Sequence, residues 1–407
     1  MRTVGIIAEY NPFHNGHFYH IQKAKELTGA DYVIAVMSGD FVQRGAPAVF
    51  DKSTRARMAL SSGADLVLEL PVYFAASSAE DFAACGIALL DRIGVTDAVC
   101  FGSECGDLGP LFAVANLLKE ETAEYKAALK KQLSQGLTYP DARNQALLSC
   151  LSEEEAAVLS SPNNILGIEY LKALLRRDSR MQPVTVKRCG HDYHDQAFSD
   201  AFVSATAIRN HLYRNGELKT LQSQMPRPAY DLIREARPVF PDDLSLLLNY
   251  SLLTLEAEKR PFSEYLDVSE ELEARLKRSL LQYGSFSQRI ADLKTKQYTY
   301  SRISRCLLHL MLGIKKDEVS WWRDKDYCGY ARVLGFKKES AEIMTGIKSH
   351  GSIPLITKIA DARKQLGDRE WAMLEKELYA SHVYQTVLHA NYGIVTQNEY
   401  NRPLVIV

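Results

Sequence analysis

Cysteine is sparse and dispersed in this 407-residue chain: Cys85, Cys100, Cys105, Cys150, Cys189, Cys306 and Cys328 form no CxxC pair and no Cys/His cluster at zinc-ligand spacing. That pattern excludes a zinc ribbon and a disulfide scaffold, and it fits a reducing cytoplasm. No uncharged apolar run approaches the ~18 residues of a membrane-spanning helix, so no membrane partner is expected. The opening Met1-Arg2-Thr3-Val4-Gly5 lacks the apolar core and cleavage site of a signal peptide. Charge of one sign is missing too: a formal net charge of -1 gives no global attraction to nucleic acid, so any such binding needs a local patch. Internal repeats and low-complexity stretches are absent, which excludes solenoids and long disordered arms.

What is present is an ordinary globular composition, 46% hydrophobic and 24% charged, in a chain longer than one core usually serves. Apolar runs at 3–10, 31–38, 64–71, 97–103 and 183–188 are too continuous for half-exposed strands and predict a parallel sheet covered on both faces. Between them, His17 to Leu27, Asp51 to Ser62 and Ala79 to Ile93 have helical period, with Asp51 placed as an N-cap. The alternation predicts an α/β fold, a Rossmann-like doubly wound sheet. Past Gly216 the prolines Pro226, Pro228, Pro238 and Pro241 crowd together, and after Asp243 the strand pattern is lost. The expected division is therefore 1–220, α/β, and 221–407, mainly α-helical with a β-leaning tail from Tyr392.

Two motifs carry chemistry. Asn11-Pro12-Phe13-His14-Asn15-Gly16-His17 follows the first strand and opens the first helix, at the sheet edge where α/β ligands bind. Pro12 stiffens the turn, Gly16 permits close backbone approach, and the helix start offers free amides and a positive dipole end to phosphate. His14 and His17 add donors that would stabilise charge on a transferring phosphoryl group. A simpler account has the two histidines finishing a helix N-terminus; a metal site lacks a third ligand. Downstream, Ser204-Ala205-Thr206-Ala207-Ile208-Arg209 starts a helical period, where Ser204 or Thr206 would cap and Arg209 would reach an ATP phosphate.

Together HNGH and SATAIR resemble the HxGH nucleotidyltransferase superfamily, related to class I aminoacyl-tRNA synthetases, with Ala205 standing where a hydroxyl residue is usual. Longer blocks, EYNPFHNGHFYHI, VIAVMSGDFVQRGAPAVFDKSTRARMAL, GADLVLELP, FGSE, SPNNILGIEYLKAL, KTKQYTYSRISR and YARVLGFKK, closely resemble the bacterial tRNA(Met) cytidine acetate ligase family over nearly the whole chain. The resemblance implies an ATP-dependent ligase. Acetate and ATP would give acetyl-adenylate, usually with Mg2+, and the acetyl group would pass to the wobble cytidine of elongator tRNA(Met) as N4-acetylcytidine. It also implies ATP binding by the segment Ile7 to His20, which includes Asn11, Pro12, Phe13, His14, Gly16 and His17, and by Gly102, Asn163 and Arg188.

Asp40, after the second strand, is a candidate to orient the nucleophile or hold magnesium, or equally a turn and helix-capping residue. Lys52 and Arg55, at the start of the following helix, read as a solvated first turn, with contact to phosphate or tRNA as the alternative. A basic stretch lies between 275 and 338, where fifteen Lys and Arg face five acidic residues. Aromatics are interleaved: Tyr298 and Tyr300 stand beside Lys294, Lys296, Arg302 and Arg305, and Trp321, Trp322, Tyr327 and Tyr330 beside Arg323 and Lys325. Cations with stacking rings are the ingredients of anticodon-loop recognition, although the same pattern coats an ordinary helix bundle. Two other functions remain open, a small-molecule nucleotidyltransferase and a non-catalytic ATP-binding RNA adaptor.

Overall fold

The computed structural model describes residues 1–137, 139–188, 203–295 and 297–407. The strands are β1 (Thr3–Ala8), β2 (Tyr32–Ser38), β3 (Phe41–Val42), β4 (Ala46–Pro47), β5 (Leu66–Leu70), β6 (Ala98–Ser103), β7 (Gln182–Lys187), β8 (Ala331–Phe336), β9 (Leu355–Ile356) and β10 (Val405–Ile406). Eight form one sheet in the order β10-β8-β5-β2-β1-β6-β7, with β9 beside β8; β3 and β4 make a separate hairpin. From β5 to β7 all pairs are parallel.

The continuous apolar runs form strands because helices cover both sheet faces. Along β2, Val33, Ala35 and Met37 enter one core and Ile34 and Val36 the other, so these five side chains are closed off from water on both faces. One core packs the sheet against helices α1 (Asn15–Thr28) and α2 (Lys52–Ser61). The other runs from the helices Ala79–Arg92 and Pro162–Arg177 into the helices of the C-terminal half. As expected, Asp51 caps α2, accepting the Ser53 and Thr54 amides at 3.0 and 3.2 Å.

The chain lays β2 and β5 on one side of β1, then β6 and β7 on the other. This reversal opens a crevice at the carboxyl ends of β1 and β6, the place where such sheets take ligands.

The half read as mainly helical after Asp243 also supplies β8, β9 and β10. β8 pairs antiparallel with β5, and β10 lies parallel to β8. The expected loss of strand pattern is therefore corrected: ARVLGF takes its hydrogen bonds from a strand far away in sequence. Ala331 and Val333 join the core of Leu66 and Leu68, and Leu334 joins that of Val67.

The reading of Lys52 and Arg55 as solvated is corrected as well, for both are buried. Arg55 donates to the carbonyls of Glu9 (2.6 Å), Phe50 (2.8 Å), Ser38 (3.1 Å) and Gly39, tying together the chain that leaves β1 and β2. No helix among the described residues is long and apolar enough to cross a membrane.

Candidate active site

His14 is the N-cap of α1, and its Nδ1 accepts the Gly16 amide at 3.0 Å. The Nδ1 of His17 accepts the His14 amide at 3.3 Å, completing a capping box built from two imidazoles. Their ring centroids lie 3.9 Å apart. Gly16 is required here by contact: a Cβ on it would fall 2.8 Å from Cε1 of His14.

Electrostatics decide the form of these rings. Burial, then Arg188 and Arg209, pushes His14 down to about 3. Burial, then His14, Arg188 and His20, holds His17 well below the usual range. Burial and Arg188 bring His20 to about 4. All three are neutral near pH 7. Because Nδ1 of His14 and His17 already accepts an amide, each neutral ring carries its hydrogen on Nε2 and presents it as a donor. The buried Nε2 of His20 has no hydrogen-bond partner among the described residues, a condition that costs ~1–3 kcal/mol and that a ligand would relieve.

The second motif meets the first. Ser204 caps the helix Ala205–Tyr213 by accepting the Ala207 amide at 3.2 Å. Arg209 donates to the Asn11 carbonyl (2.7 Å) and to Oγ1 of Thr206 (3.0 Å), joining the two motifs directly. Asn11 accepts the Val49 amide at 2.7 Å through Oδ1 and precedes a cis peptide to Pro12. Phe13 is buried, its centroid 4.9 Å from that of Tyr10 and 5.5 Å from that of His17; Ile7, near the end of β1, is half-buried.

Arg188 follows β7 and has no ion pair to a described residue, although its charge reaches all three histidines. Burial of the guanidinium lowers its pKa and Glu104 opposes that, while the residue as a whole keeps much surface in solvent. Gly102 lies beside it, where a Cβ would stand 3.3 Å from Cγ of Arg188. Asn163 opens the helix Pro162–Arg177 and is held by Glu104, a residue the sequence reading quoted within FGSE but did not select.

Asp40 is buried and accepts the Lys52 amide at 2.7 Å, which is the geometry of the turn-and-cap alternative; burial raises its pKa. Among the described residues no group of three His, Cys, Asp or Glu could hold a metal ion.

The chain matches the family model described as HIGH Nucleotidyl Transferase over residues 1–399. It is 42% identical over 419 residues to the tRNA(Met) cytidine acetate ligase of Clostridium kluyveri, covering 100% of this chain and 99% of the relative. The chain belongs to that family. The Thermoanaerobacter sp. (strain X514) member is 40% identical over 400 residues, with 97% of each chain covered. Among solved structures, Thermotoga maritima TmcAL bound with alpha-thio ATP matches at 33% identity and a TM-score of 0.91, over 100% of both chains. The α/β fold with a helical C-terminal region is thus that of the family.

The residues expected to meet RNA are scattered in environment. Lys294 and Tyr300 are exposed; Lys296 lies outside the described residues. Tyr298 is buried, bonded to Oγ of Ser269 at 2.7 Å and to Glu271 at 3.2 Å, and carries Arg302 over its ring at 4.9 Å. Arg305 is paired with Asp267 at 2.9 Å, Arg323 with Asp81 at 2.6 Å. Trp322 and Tyr330 are core residues. Lys294, Lys325 and Lys338 remain exposed, without an ion pair to a described residue.

Proposed function

We propose that this chain activates acetate with ATP and passes the acetyl group to the exocyclic amine of the wobble cytidine in elongator tRNA(Met). An acetate oxygen attacks the α-phosphorus, the bond to the bridging oxygen breaks, and pyrophosphate leaves. The cytidine amine then attacks the acetyl carbonyl, the bond to the AMP oxygen breaks, and the amine gives up a proton as N4-acetylcytidine forms.

One observation carries the reading: two neutral imidazoles present Nε2 hydrogens beside Arg188, at the carboxyl ends of parallel strands in a chain related over its full length to such ligases. Donors preorganised around a phosphorus stabilise the charge that gathers on its oxygens in the transition state. In this assignment the Ile7 to His20 segment, Gly102, Asn163, Arg188, Ser204, Thr206 and Arg209 form the ATP site, with His14 and His17 catalytic. Asp40 supports the loop rather than the reaction. In this reading magnesium is held by triphosphate oxygens and water. Exposed Lys294, Lys325, Lys338 and Tyr300 would meet the tRNA, in the cytoplasm.

The test is incubation with ATP, magnesium, radiolabelled acetate and unmodified elongator tRNA(Met). Label is expected in the wobble cytidine, with one AMP formed per acetyl transferred. Pyrophosphate release that requires a mononucleotide instead of acetate would mark a small-molecule nucleotidyltransferase. Binding of ATP and tRNA without AMP formation would mark an adaptor.

A further inference from the structure

The FGSE sequence that closes β6 does more than supply Gly102. Glu104, just past the strand, accepts hydrogens from the first turn of the helix Pro162–Arg177. Its Oε1 takes the Asn163 backbone amide (3.3 Å) and the Asn163 side-chain Nδ2 (2.6 Å), and its Oε2 takes the Asn164 amide (2.8 Å). Oδ1 of Asn164 returns the contact, accepting the amides of Glu104 (2.8 Å) and Cys105 (3.2 Å). The end of β6 and the start of this helix are clasped from both sides.

An ionised carboxylate only accepts hydrogen bonds, so it dictates how a neighbouring amide points. Asn163 must turn its NH2 toward Glu104. Its Oδ1 is then the free arm, and it takes no hydrogen bond from a described residue while the side chain stays half-buried. Arg188, on the adjacent strand end against Gly102, feels the charge of Glu104, so the clasp borders the proposed phosphate site.

We infer that Glu104 is a positioning residue that sets the polarity of nucleotide recognition: it obliges Asn163 to offer an acceptor, so the site reads a hydrogen-bond donor on the nucleoside. This rests on the proposed function, in which Asn163 borders ATP. Adenine's 6-amino group and the ribose hydroxyls both supply such a donor. A 6-oxo purine or a deoxyribose does not supply it at the respective place.

The experiment compares dissociation constants, by calorimetry, for ATP, ITP, 2′-deoxyATP and 3′-deoxyATP. The proteins are wild type, Glu104→Gln, Asn163→Ala and the double variant, with melting temperatures alongside. Wild type is expected to bind ATP about 10- to 100-fold more tightly than the analogue lacking the donor that is read. Loss with ITP identifies the base, and loss with a deoxy analogue the ribose. Glutamine donates as well as accepts, so Glu104→Gln frees Asn163 to turn over, and that ratio should fall to within about threefold. Asn163→Ala should lose the same discrimination, and the double variant no more.

Asn163→Ala keeps the bond of Glu104 to the Asn164 amide, so it decides the matter if Glu104→Gln does not fold. Unchanged ratios in Asn163→Ala, or in a folded Glu104→Gln even with a lower melting temperature, leave only a structural clasp and overturn the inference. So does a wild type that binds all four nucleotides alike. A wild type that binds none removes the proposed function itself, and the inference with it.

Discussion

Lys52, in the first turn of α2, and Glu399, in the segment leading to β10, lie 2.9 Å apart with both side chains closed off from water. Nζ of Lys52 also meets Glu69 at 2.8 Å and Oγ of Ser381 at 2.6 Å. Glu69 and Glu399 in turn hold Arg332 at 2.7 and 2.6 Å. Burial works to raise the Glu399 carboxyl, but Lys52 and Arg332 hold it well below the usual range. Charges from both ends of the chain thus neutralise one another inside the molecule.

Removing one partner leaves uncompensated charge in the interior. Lys52→Met is expected to cost about 3–5 kcal/mol in urea denaturation. If Lys52 instead served tRNA phosphate, the variant would keep its stability and lose tRNA affinity.

The histidine loop makes ligand-free stability depend on pH. Unfolded histidine titrates near 6.5, whereas His14 and His20 in the fold titrate at about 3 and about 4. Between those values the unfolded chain binds more protons, so stability rises with pH and falls as pH drops from about 6.5 toward 4. Thermal melts across that range should show the decline. A triphosphate beside the rings favours their charged form, so ATP should reduce the slope.

His17→Ala should lower acetate-dependent AMP formation by about 10²–10³-fold, the usual cost of a lost transition-state donor. The lost cap costs only ~1 kcal/mol of stability. Near-normal AMP formation in this variant would remove His17 from the chemistry.

Arg188 and Arg209 should separate by measurement. Arg188 has no ion pair to a described residue, so Arg188→Ala should weaken ATP binding by about tenfold or more while leaving the melting temperature near wild type. Arg209 braces the Asn11 carbonyl and Thr206, so Arg209→Ala should lower both affinity and stability. Equal melting losses in the two variants would contradict this assignment.

Binding of tRNA should weaken steeply with salt, since each phosphate contact releases counterions. Lys294→Ala should reduce the magnitude of the log–log salt slope by about one. Arg305→Ala should leave the slope unchanged and lower stability, because that guanidinium is already paired with Asp267. A slope that responds to Arg305 and not to Lys294 would relocate the RNA surface.

The sequence by itself determined the parallel strands β1, β2, β5, β6 and β7 and the two motifs at their edges. Strands buried on both faces need unbroken apolar runs, and a helix that opens onto phosphate needs its histidines, glycine and capping serine at short, local spacing. Glu104 was visible only as part of FGSE. Nothing local shows that its carboxylate clasps Asn163 and Asn164, which lie 59 and 60 residues further along the chain.

Only the tertiary structure decided that ARVLGF is a strand, since a short apolar run among helices becomes one when β5 offers its free edge. It alone placed Lys52, Arg55 and Arg332 inside and left Lys294 outside. The reason is physical: a charge enters the interior only where partners satisfy it. Here those partners, Glu69, Glu399 and the backbone carbonyls around Arg55, come from parts of the chain that meet only on folding.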